Sequence, residues 1–415
     1  MTINCNQCVA PFIQIMLDPS GRASPCAILD GLWKFNDETS VEDIWNNPQL
    51  ESLRDNHKNN IRDPLCDTCW NTEDNGLQSH RERLNNSDKY DIDAVVDSIK
   101  TNTYKDGPLN IHLKNGNVCN LKCRICGPKD SIAWIPEAKD YKKQYPNEMS
   151  DTFFDIEAYK RNWTDNQLDQ LMRWNTKLQR IEHFGGEALY NPKVLKHMNM
   201  LIDNGISKNI TLYFNTNSDH TPNDKWWTAM SKFKALEFQL SLDGYEEQFE
   251  YQRHPAKWEN VLKFRNWLDK KKSSIPIKYG INTTVNIMNV FYLPETVDYF
   301  LKIKKMEVLK MYPFIIANRN SLTRLVNTED FLFLNILSFP AFYNIQNMPD
   351  KIKHKVEQKL TNSKHSYRFN ETIKYMWQNK STINSWKQFH AWTERQDKFR
   401  KQSFSKTFSE FSQLM

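Results

Sequence analysis

Three cysteines near position 120 have a spacing that could hold a reactive metal centre. Cys119, Cys123 and Cys126 are separated by three and then two residues in the stretch CNLKCRIC. Four thiolates would close a tetrahedral metal site or fill an iron–sulfur cube, whereas three leave one coordination position open. An open position is where a metal centre binds and activates another molecule. The stretch is therefore a candidate for chemistry.

Zinc, or three free thiols, is the competing interpretation of this stretch. A zinc ion would need a fourth donor, which His112 on the preceding strand could supply. Zinc sites with three cysteines and one histidine usually carry their ligands as two separated pairs, and this stretch does not. The spacing therefore disfavours zinc.

Five further cysteines stand near the start of the chain, at Cys5, Cys8, Cys26, Cys66 and Cys69, and none follows residue 126 of 415. The first residues lack the features of a secretory signal, and no apolar run is long enough to cross a bilayer. We therefore expect a cytoplasmic protein without a membrane partner. In a reducing cytosol, clustered cysteines indicate metal binding or catalysis rather than disulfides.

Alternating strand-like and helix-like segments begin at about residue 108. The predicted strands are 109–114, 178–185, 210–217, 236–244, 277–286 and 307–316. Strands that alternate with helices of this length predict βαβ units and a parallel α/β sheet. Six units do not complete an eight-stranded barrel, so we expect a partial (β/α)6 TIM-like barrel. The cysteine triad follows the first strand, where α/β sheets carry their working residues.

The triad resembles the CxxxCxxC signature of the radical SAM superfamily. The resemblance implies that three thiolates hold three irons of a [4Fe–4S] cluster and that S-adenosylmethionine (SAM) chelates the fourth iron. It also implies that one electron entering the cluster cleaves SAM to a 5′-deoxyadenosyl radical, which abstracts hydrogen from a substrate. Ile125 stands where the family usually has an aromatic residue.

The segment HFGGEALYNP resembles the GGEP motif of the same superfamily. Gly185, Gly186 and Glu187 follow the second predicted strand, in a chain with only 11 glycines. The resemblance implies that Gly186 and Glu187 contact the amino group of SAM, with glycine allowing the backbone to approach the ligand closely. Ala188 replaces the proline of the motif. An ordinary turn after a strand is the alternative.

Weaker similarities at later strand ends imply further SAM contacts. NTNSD and SLDG resemble conserved polar segments of the family, and YQRHPAKWENV resembles a segment with a carboxylate-binding arginine. Short polar motifs at strand ends are also common as caps and turns. The predicted contacts are Ser241, Asp243, Arg253 and Asn286.

The N-terminal cysteines resemble those of SPASM and twitch iron–sulfur domains, through Cys8-x12-Gly21-x4-Cys26 and Cys66-x2-Cys69. Text such as VEDIWNNPQLESLR resembles twitch-domain radical SAM proteins in which this domain precedes the core. The resemblance implies an auxiliary [4Fe–4S] cluster on Cys8, Cys26, Cys66 and Cys69, with Cys5 left over. A four-cysteine zinc ribbon is the alternative, because both centres use four thiolates.

Three regions follow from these patterns: a SPASM/twitch-like domain with its linker at 1–105, a radical SAM core at 106–318, and a helical, aromatic-rich extension at 319–415. Residues 351–415 carry 14 Lys and Arg against five Asp and Glu. Such an excess is typical either of a solvated helical face or of a surface for an acidic peptide or nucleic acid.

The resemblance implies a radical SAM enzyme acting on a peptide or amino-acid-like small molecule, supplied by an electron donor such as flavodoxin or ferredoxin. One alternative is the same chemistry on nucleic acid or a nucleotide, which only the basic tail supports. Another is a non-catalytic iron–sulfur or zinc protein that uses the barrel for binding. The open cysteine triad together with Gly-Gly-Glu argues against the last alternative.

Overall fold

A computed structural model describes residues 6–29, 31–74, 76, 78–87, 89–146, 163–172, 177–311, 331–378 and 383–415. Nine strands of these ranges form one sheet in the order β3-β2-β1-β4-β5-β6-β7-β8-β9. The strands are β1 (Gln14–Asp18), β2 (Arg22–Ser24), β3 (Trp33–Lys34), β4 (Asn110–Lys114), β5 (Arg180–Phe184), β6 (Thr211–Thr216), β7 (Ala235–Ser241), β8 (Ile277–Val285) and β9 (Leu332–Ile336).

Strands β4 to β9 are parallel to one another, and each pairs with the next strand along the chain. Their residues alternate between two faces, as on β6, where Leu212 and Phe214 are buried and Tyr213 and Asn215 are half-buried. The predicted α/β class with a partial barrel is confirmed. Helices of the core are α7 (Ile135–Gln144), α8 (Asp165–Leu171), α9 (Pro192–Asp203), α10 (Asp224–Met230), α11 (Glu246–Gln252), α12 (Trp258–Lys271) and α13 (Leu293–Met311).

The sixth predicted strand, 307–316, is wrong. Its first five residues belong to the end of α13, and residues 312–316 lie outside the described ranges. The part of that run up to Met311 continues a helix that Leu293 and Pro294 begin, so local composition suggested a strand where a helix already existed. The sixth parallel strand is β9, inside the region predicted as the extension. The boundaries at 105 and 318 stay a prediction.

The N-terminal region joins the same sheet. Strand β1 pairs in parallel with β4, with Ile15 opposite Ile111, and β2 pairs antiparallel with β1. The four-cysteine region is therefore continuous with the core through backbone hydrogen bonds. Its helices are α1 (Ala10–Ile13), α2 (Val41–Trp45), α3 (Pro48–Lys58), α4 (Asp67–Asp74), α5 (His80–Asn85) and α6 (Ile92–Thr101).

The C-terminal region is helical, as predicted, and packs on the core through aromatic side chains. Trp392 stacks on Trp134 with ring centroids 6.2 Å apart, and Phe408 meets Tyr251 at 5.3 Å. These contacts bury large apolar surfaces and join the region to the sheet. Its helices are α14 (Asp350–Thr361), α15 (Asn370–Trp377), α16 (Ile383–Arg400), α17 (Phe404–Thr407) and α18 (Ser409–Ser412).

Several cations of the basic tail pair with carboxylates of the core. Arg400 is buried against Glu137, at 3.0 Å, and Lys359 lies 2.7 Å from Glu295. Lys353 is also fully buried. Part of the positive charge counted in the sequence therefore holds the tail to the core.

Candidate functional site

The three core cysteines lie in the loop that follows β4. Cys119 and Cys123 are buried, and Cys126 is half-buried. A hydrogen bond between the thiols of Cys123 and Cys126 lowers the pKa of Cys123 and raises that of Cys126. Burial raises the pKa of Cys119 to about 12, and the neighbouring Cys123 adds to this effect. The three thiols thus lie in one loop as neighbours, and their predicted binding of a cluster stays a prediction.

Backbone hydrogen bonds hold the triad loop against the end of α11. The amide of Lys122 donates to the carbonyl of His254, and the amide of Arg124 donates to that of Gln252, both at 2.8 Å. The indole of Trp134 donates to the carbonyl of Cys123 at 3.0 Å. Each contact involves Cys123 or a residue beside it, so the centre of the triad is fixed both by Trp134, further along the chain, and by the distant end of α11.

Arg253 and Asp243 form a buried ion pair beside the triad. Arg253 Nη2 lies 2.9 Å from Asp243 Oδ2, and Asp243 Oδ1 accepts a hydrogen bond from the amide of Thr284 at 2.8 Å. Burial lowers the pKa of Arg253, but the charge of Asp243, with smaller contributions from Cys123 and Cys126, raises it overall. Its Nε has no hydrogen-bond partner among the described residues. A buried guanidinium with a spare donor suits an anionic ligand such as a carboxylate.

Gly185 and Gly186 press against the backbone of the triad loop. Gly186 has φ +57°, and a Cβ there would stand 2.6 Å from the carbonyl oxygen of Val118. The amide of Glu187 donates to that same oxygen at 2.8 Å. The sequence suggested that glycine is needed for the approach of a ligand. The structure supplies a further reason, which is the close approach of the loop itself.

Glu187 is almost fully buried, at 1% exposure, and its carboxylate faces the end of β6. It accepts hydrogen bonds from Thr216 Oγ1 at 2.9 Å and from the amides of Asn217 and Leu189 at 2.7 and 3.2 Å. Burial raises its pKa to about 7 despite these donors. Its predicted contact with the SAM amino group stays a prediction.

Asn217 lies at this site but is not among the contact residues predicted from the sequence. Its Nδ2 lies 3.9 Å from Cys119 Sγ and donates to Asn120 Oδ1 at 2.9 Å. The neighbouring Ser218 has φ +62° and a buried Oγ without a partner in the described part of the chain. The polar stretch NTNSD after β6 was the available signal, and it did not single out one residue.

Ser241 and Asn286 lie at the ends of the next two strands. Ser241 ends β7, half-buried, opposite Asn282 of β8. Asn286 is fully buried, and its Nδ2 donates to Gln252 Oε1 at 3.1 Å and to the carbonyl of Thr284 at 2.9 Å. Asn286 thereby ties the loop after β8 to α11. The predicted SAM contacts of both residues, with the ribose or carboxylate for Ser241 and with the ribose for Asn286, stay predictions.

The four N-terminal cysteines line one small pocket. Cys8, Cys26, Cys66 and Cys69 face it together with Arg81. Burial, with smaller contributions from the charges of Cys26, Asp63 and Cys69, raises the pKa of Cys66 to about 12. The four predicted cysteines therefore line one pocket, and their binding of one cluster stays a prediction. Cys5 lies outside the described residues.

Two residues near this pocket were not predicted. Arg81 is held by Glu73 at 2.6 Å and lies 4.7 Å from the centre of the Trp70 ring. His57 Nε2 lies 3.8 Å from Cys66 Sγ, while its Nδ1 lies 3.1 Å from the carbonyl oxygen of Asn6. Within the described ranges, neither these four thiols nor the triad, nor any other three His, Cys, Asp or Glu side chains, is arranged to hold a single metal ion.

A polar cavity of about 480 Å³ lies on the inner face of the partial barrel. Gln239 is 8% exposed, and its Nε2 has no partner among the described residues. Gly280 on β8 keeps the space beside it open, because a Cβ there would stand 3.3 Å from Gln239 Oε1. The other polar lining residues are Lys89, Tyr213, Asn215, Glu237, Lys278, Asn282 and Asn335.

Comparisons with known proteins place the N-terminal region in context. Residues 8–70 match the SPASM family, described as an iron–sulfur cluster-binding domain. This range begins at Cys8, ends just after Cys69, and contains all four cysteines of the pocket. No curated protein matches the sequence. No helix of the described ranges is both long and apolar enough to cross a membrane.

Solved structures give only distant similarities. Native anSMEcpe with bound AdoMet is 16% identical with a TM-score of 0.40, and the match covers 66% of this chain and 63% of that one. SuiB of Streptococcus suis is 12% identical with a TM-score of 0.31, covering 82% and 73%. SuiB bound to precursor peptide SuiA is 10% identical with a TM-score of 0.29, and the match covers 72% of this chain and 58% of that one. The chain thus spans less than two thirds of the length of anSMEcpe.

Proposed function

We propose that the chain is a radical SAM enzyme that modifies a peptide or an amino-acid-like substrate and carries an auxiliary iron–sulfur cluster. The observation that carries this proposal is the three-cysteine loop at the carboxyl end of β4, gathered against Gly185 and Gly186. Three thiols and an open fourth position suit a cluster that must also bind a ligand. When bound there, the cluster and SAM would supply a 5′-deoxyadenosyl radical.

The residues around the loop fit such a group. Cys119, Cys123 and Cys126 would hold the cluster. The spare Nε donor of Arg253, beside Cys123 and Cys126, would face the carboxylate of SAM. Asp243 keeps the guanidinium in place through its ion pair. These roles support the proposal through chemistry, because a buried unpartnered donor is costly unless a ligand satisfies it.

The barrel cavity is the proposed place for the substrate. Its lining is rich in amide side chains, which can both donate to and accept from the main chain of a peptide. Gln239 Nε2 is the buried donor left for such a contact.

The four-cysteine pocket would hold the auxiliary cluster, in agreement with the SPASM match over 8–70. All four thiols line it, so this site would be closed, with no position left for SAM. Arg81 beside the pocket would balance part of the negative charge of four thiolates. We propose that this cluster passes electrons or supports the substrate cavity, and that a flavodoxin or ferredoxin supplies electrons to the enzyme in the cytoplasm.

Reductive SAM cleavage tests the proposal. Anaerobically reconstituted protein with dithionite and SAM should release 5′-deoxyadenosine, measured by liquid chromatography. Cys123→Ala should abolish the release while circular dichroism shows an intact fold. A fully iron-loaded wild-type protein that leaves SAM intact would refute the proposal, and so would cleavage that survives in Cys123→Ala.

A further inference from the structure

Arg124 lies inside the cysteine triad and points away from it into the C-terminal region. Its side chain is fully buried. Nε donates to the carbonyl of Tyr251 at 3.1 Å, and the guanidinium lies 3.7 Å from the centre of the Tyr251 ring. Its remaining nitrogens donate to Gln396 Oε1 at 3.1 Å, Asp397 Oδ1 at 2.5 Å and Gln402 Oε1 at 3.0 Å.

Asp397 is the charged partner of this arginine, and it is itself held firmly. Its Oδ1 also accepts from Tyr251 Oη at 2.7 Å, and its Oδ2 accepts from the amide of Phe404 at 2.6 Å. The pair therefore joins the triad loop, α11 and the junction between α16 and α17. A bidentate or forked arginine in such a network fixes geometry as well as charge.

The two residues that precede Arg124 contact the same helix through one intermediate each. Lys122 Nζ lies 2.8 Å from Glu137, which also binds Arg400 at 3.0 Å. The carbonyl of Cys123 accepts from Trp134, whose ring stacks on that of Trp392 in α16. Three consecutive residues of the triad loop are thus braced by α16.

We propose that α16 positions the triad loop and that the Arg124–Asp397 pair sets the charge felt by a cluster held there. This inference rests on the proposed function, because it concerns the same cluster. Charges buried next to a metal centre act through a low dielectric and shift its reduction potential. Arg124 and Asp397 are positioning residues, since neither reaches the ligand position.

Two single substitutions test this proposal, because they should shift the midpoint potential of the cluster in opposite directions. Arg124→Gln removes a positive charge, so the midpoint potential of the SAM-binding cluster should fall. Asp397→Asn removes a negative charge, so the potential should rise. The double variant should return close to the wild-type value. Electron paramagnetic resonance during a redox titration of the anaerobic protein measures all four potentials.

Two further variants separate charge from folding. Arg124→Lys keeps the positive charge but loses the several hydrogen bonds of the guanidinium. It should therefore retain the wild-type potential and give a broader resonance. This variant still tests the proposal if Arg124→Gln proves too unstable to purify. Lys263→Gln removes a positive charge from an exposed pair with Glu259 on α12 and should leave the potential unchanged.

The outcomes distinguish this inference from the proposed function. A wild-type protein that cleaves SAM, with potentials that are equal or shift in the same direction in Arg124→Gln and Asp397→Asn, would overturn the inference alone. An Arg124→Lys potential far from the wild-type value would also overturn it. A wild-type protein without a cluster in the triad loop would overturn both.

Discussion

The two cysteine sites of this chain are held in different ways. The four-cysteine pocket is built from neighbouring segments between residues 8 and 81, and its charged support is the Arg81–Glu73 pair of the same region. The three-cysteine loop is contacted by segments after β5, β6 and α11 and by α16. A closed four-ligand site can be a local structure, whereas an open site must keep its geometry with one position given to a ligand.

Removing ligands from each site should separate their roles most strongly. Replacing both Cys66 and Cys69 with Ala should remove about half of the bound iron, because one of two clusters is lost. SAM cleavage should persist at least in part, since the triad is intact. Iron and 5′-deoxyadenosine are measured on the same preparation, beside Cys123→Ala. Unchanged iron in the double variant would show that the pocket holds another centre.

A pH dependence of stability should arise from Glu187, which lies beside the triad loop. Burial raises the pKa of Glu187 from 4.5 to about 7, so the folded state binds its proton more tightly than the unfolded state does. Stability should therefore fall as pH rises from about 4.5 to about 7, by roughly 3 kcal/mol in total for this group.

Glu187→Gln removes this titration and tests the sign. As pH rises from 5 to 8, the unfolding free energy of the variant should increase relative to that of the wild type. Urea denaturation of both proteins at several pH values measures it. A difference that is constant with pH would contradict the assigned shift.

Two glycines that share the left-handed backbone conformation provide a matched pair of substitutions with smaller expected effects. Gly186 and Gly205 both have positive φ, at +57° and +73°, but a Cβ at Gly205 meets nothing within 4 Å. Gly205→Ala should cost about 1 kcal/mol from backbone strain alone. Gly186→Ala should cost about 1–3 kcal/mol more, because its Cβ would collide with the triad loop.

The same variants show whether the collision reaches the metal site. Gly186→Ala should also lower iron retained by the triad, and Gly205→Ala should not. Urea denaturation and iron analysis give both quantities. Equal losses of stability in the two variants would mean that the loop moves away freely.

Much of the fold could be predicted from the sequence. Strands β4 to β8 follow alternating or apolar runs bounded by turns, and these local patterns survive in the sheet. Strand β9 was missed because the β-branched and aromatic run at 307–316 offered a stronger local signal. The pairing of β1 with β4 was missed because its partner lies far along the chain.

In the candidate site too, local sequence patterns could be predicted, whereas contacts between distant parts of the chain could not. The seven cysteines could be proposed as ligands because cluster chemistry fixes the spacing of its cysteines. Three of them lie in one loop and four line one pocket, and their binding of clusters stays a prediction. Arg124 could not be recognised, since its partners stand at 251 and between 396 and 402. His57 gave no signal, because nothing near it in sequence resembles a ligand motif.

Iron, sulfide and zinc per chain, measured on anaerobically purified and reconstituted protein, test the central claim most directly. Two [4Fe–4S] clusters predict about eight irons with equal sulfide and no stoichiometric zinc. About four irons with about one zinc would contradict the auxiliary cluster and leave the triad as the sole cluster site. Zinc without iron would contradict the whole account.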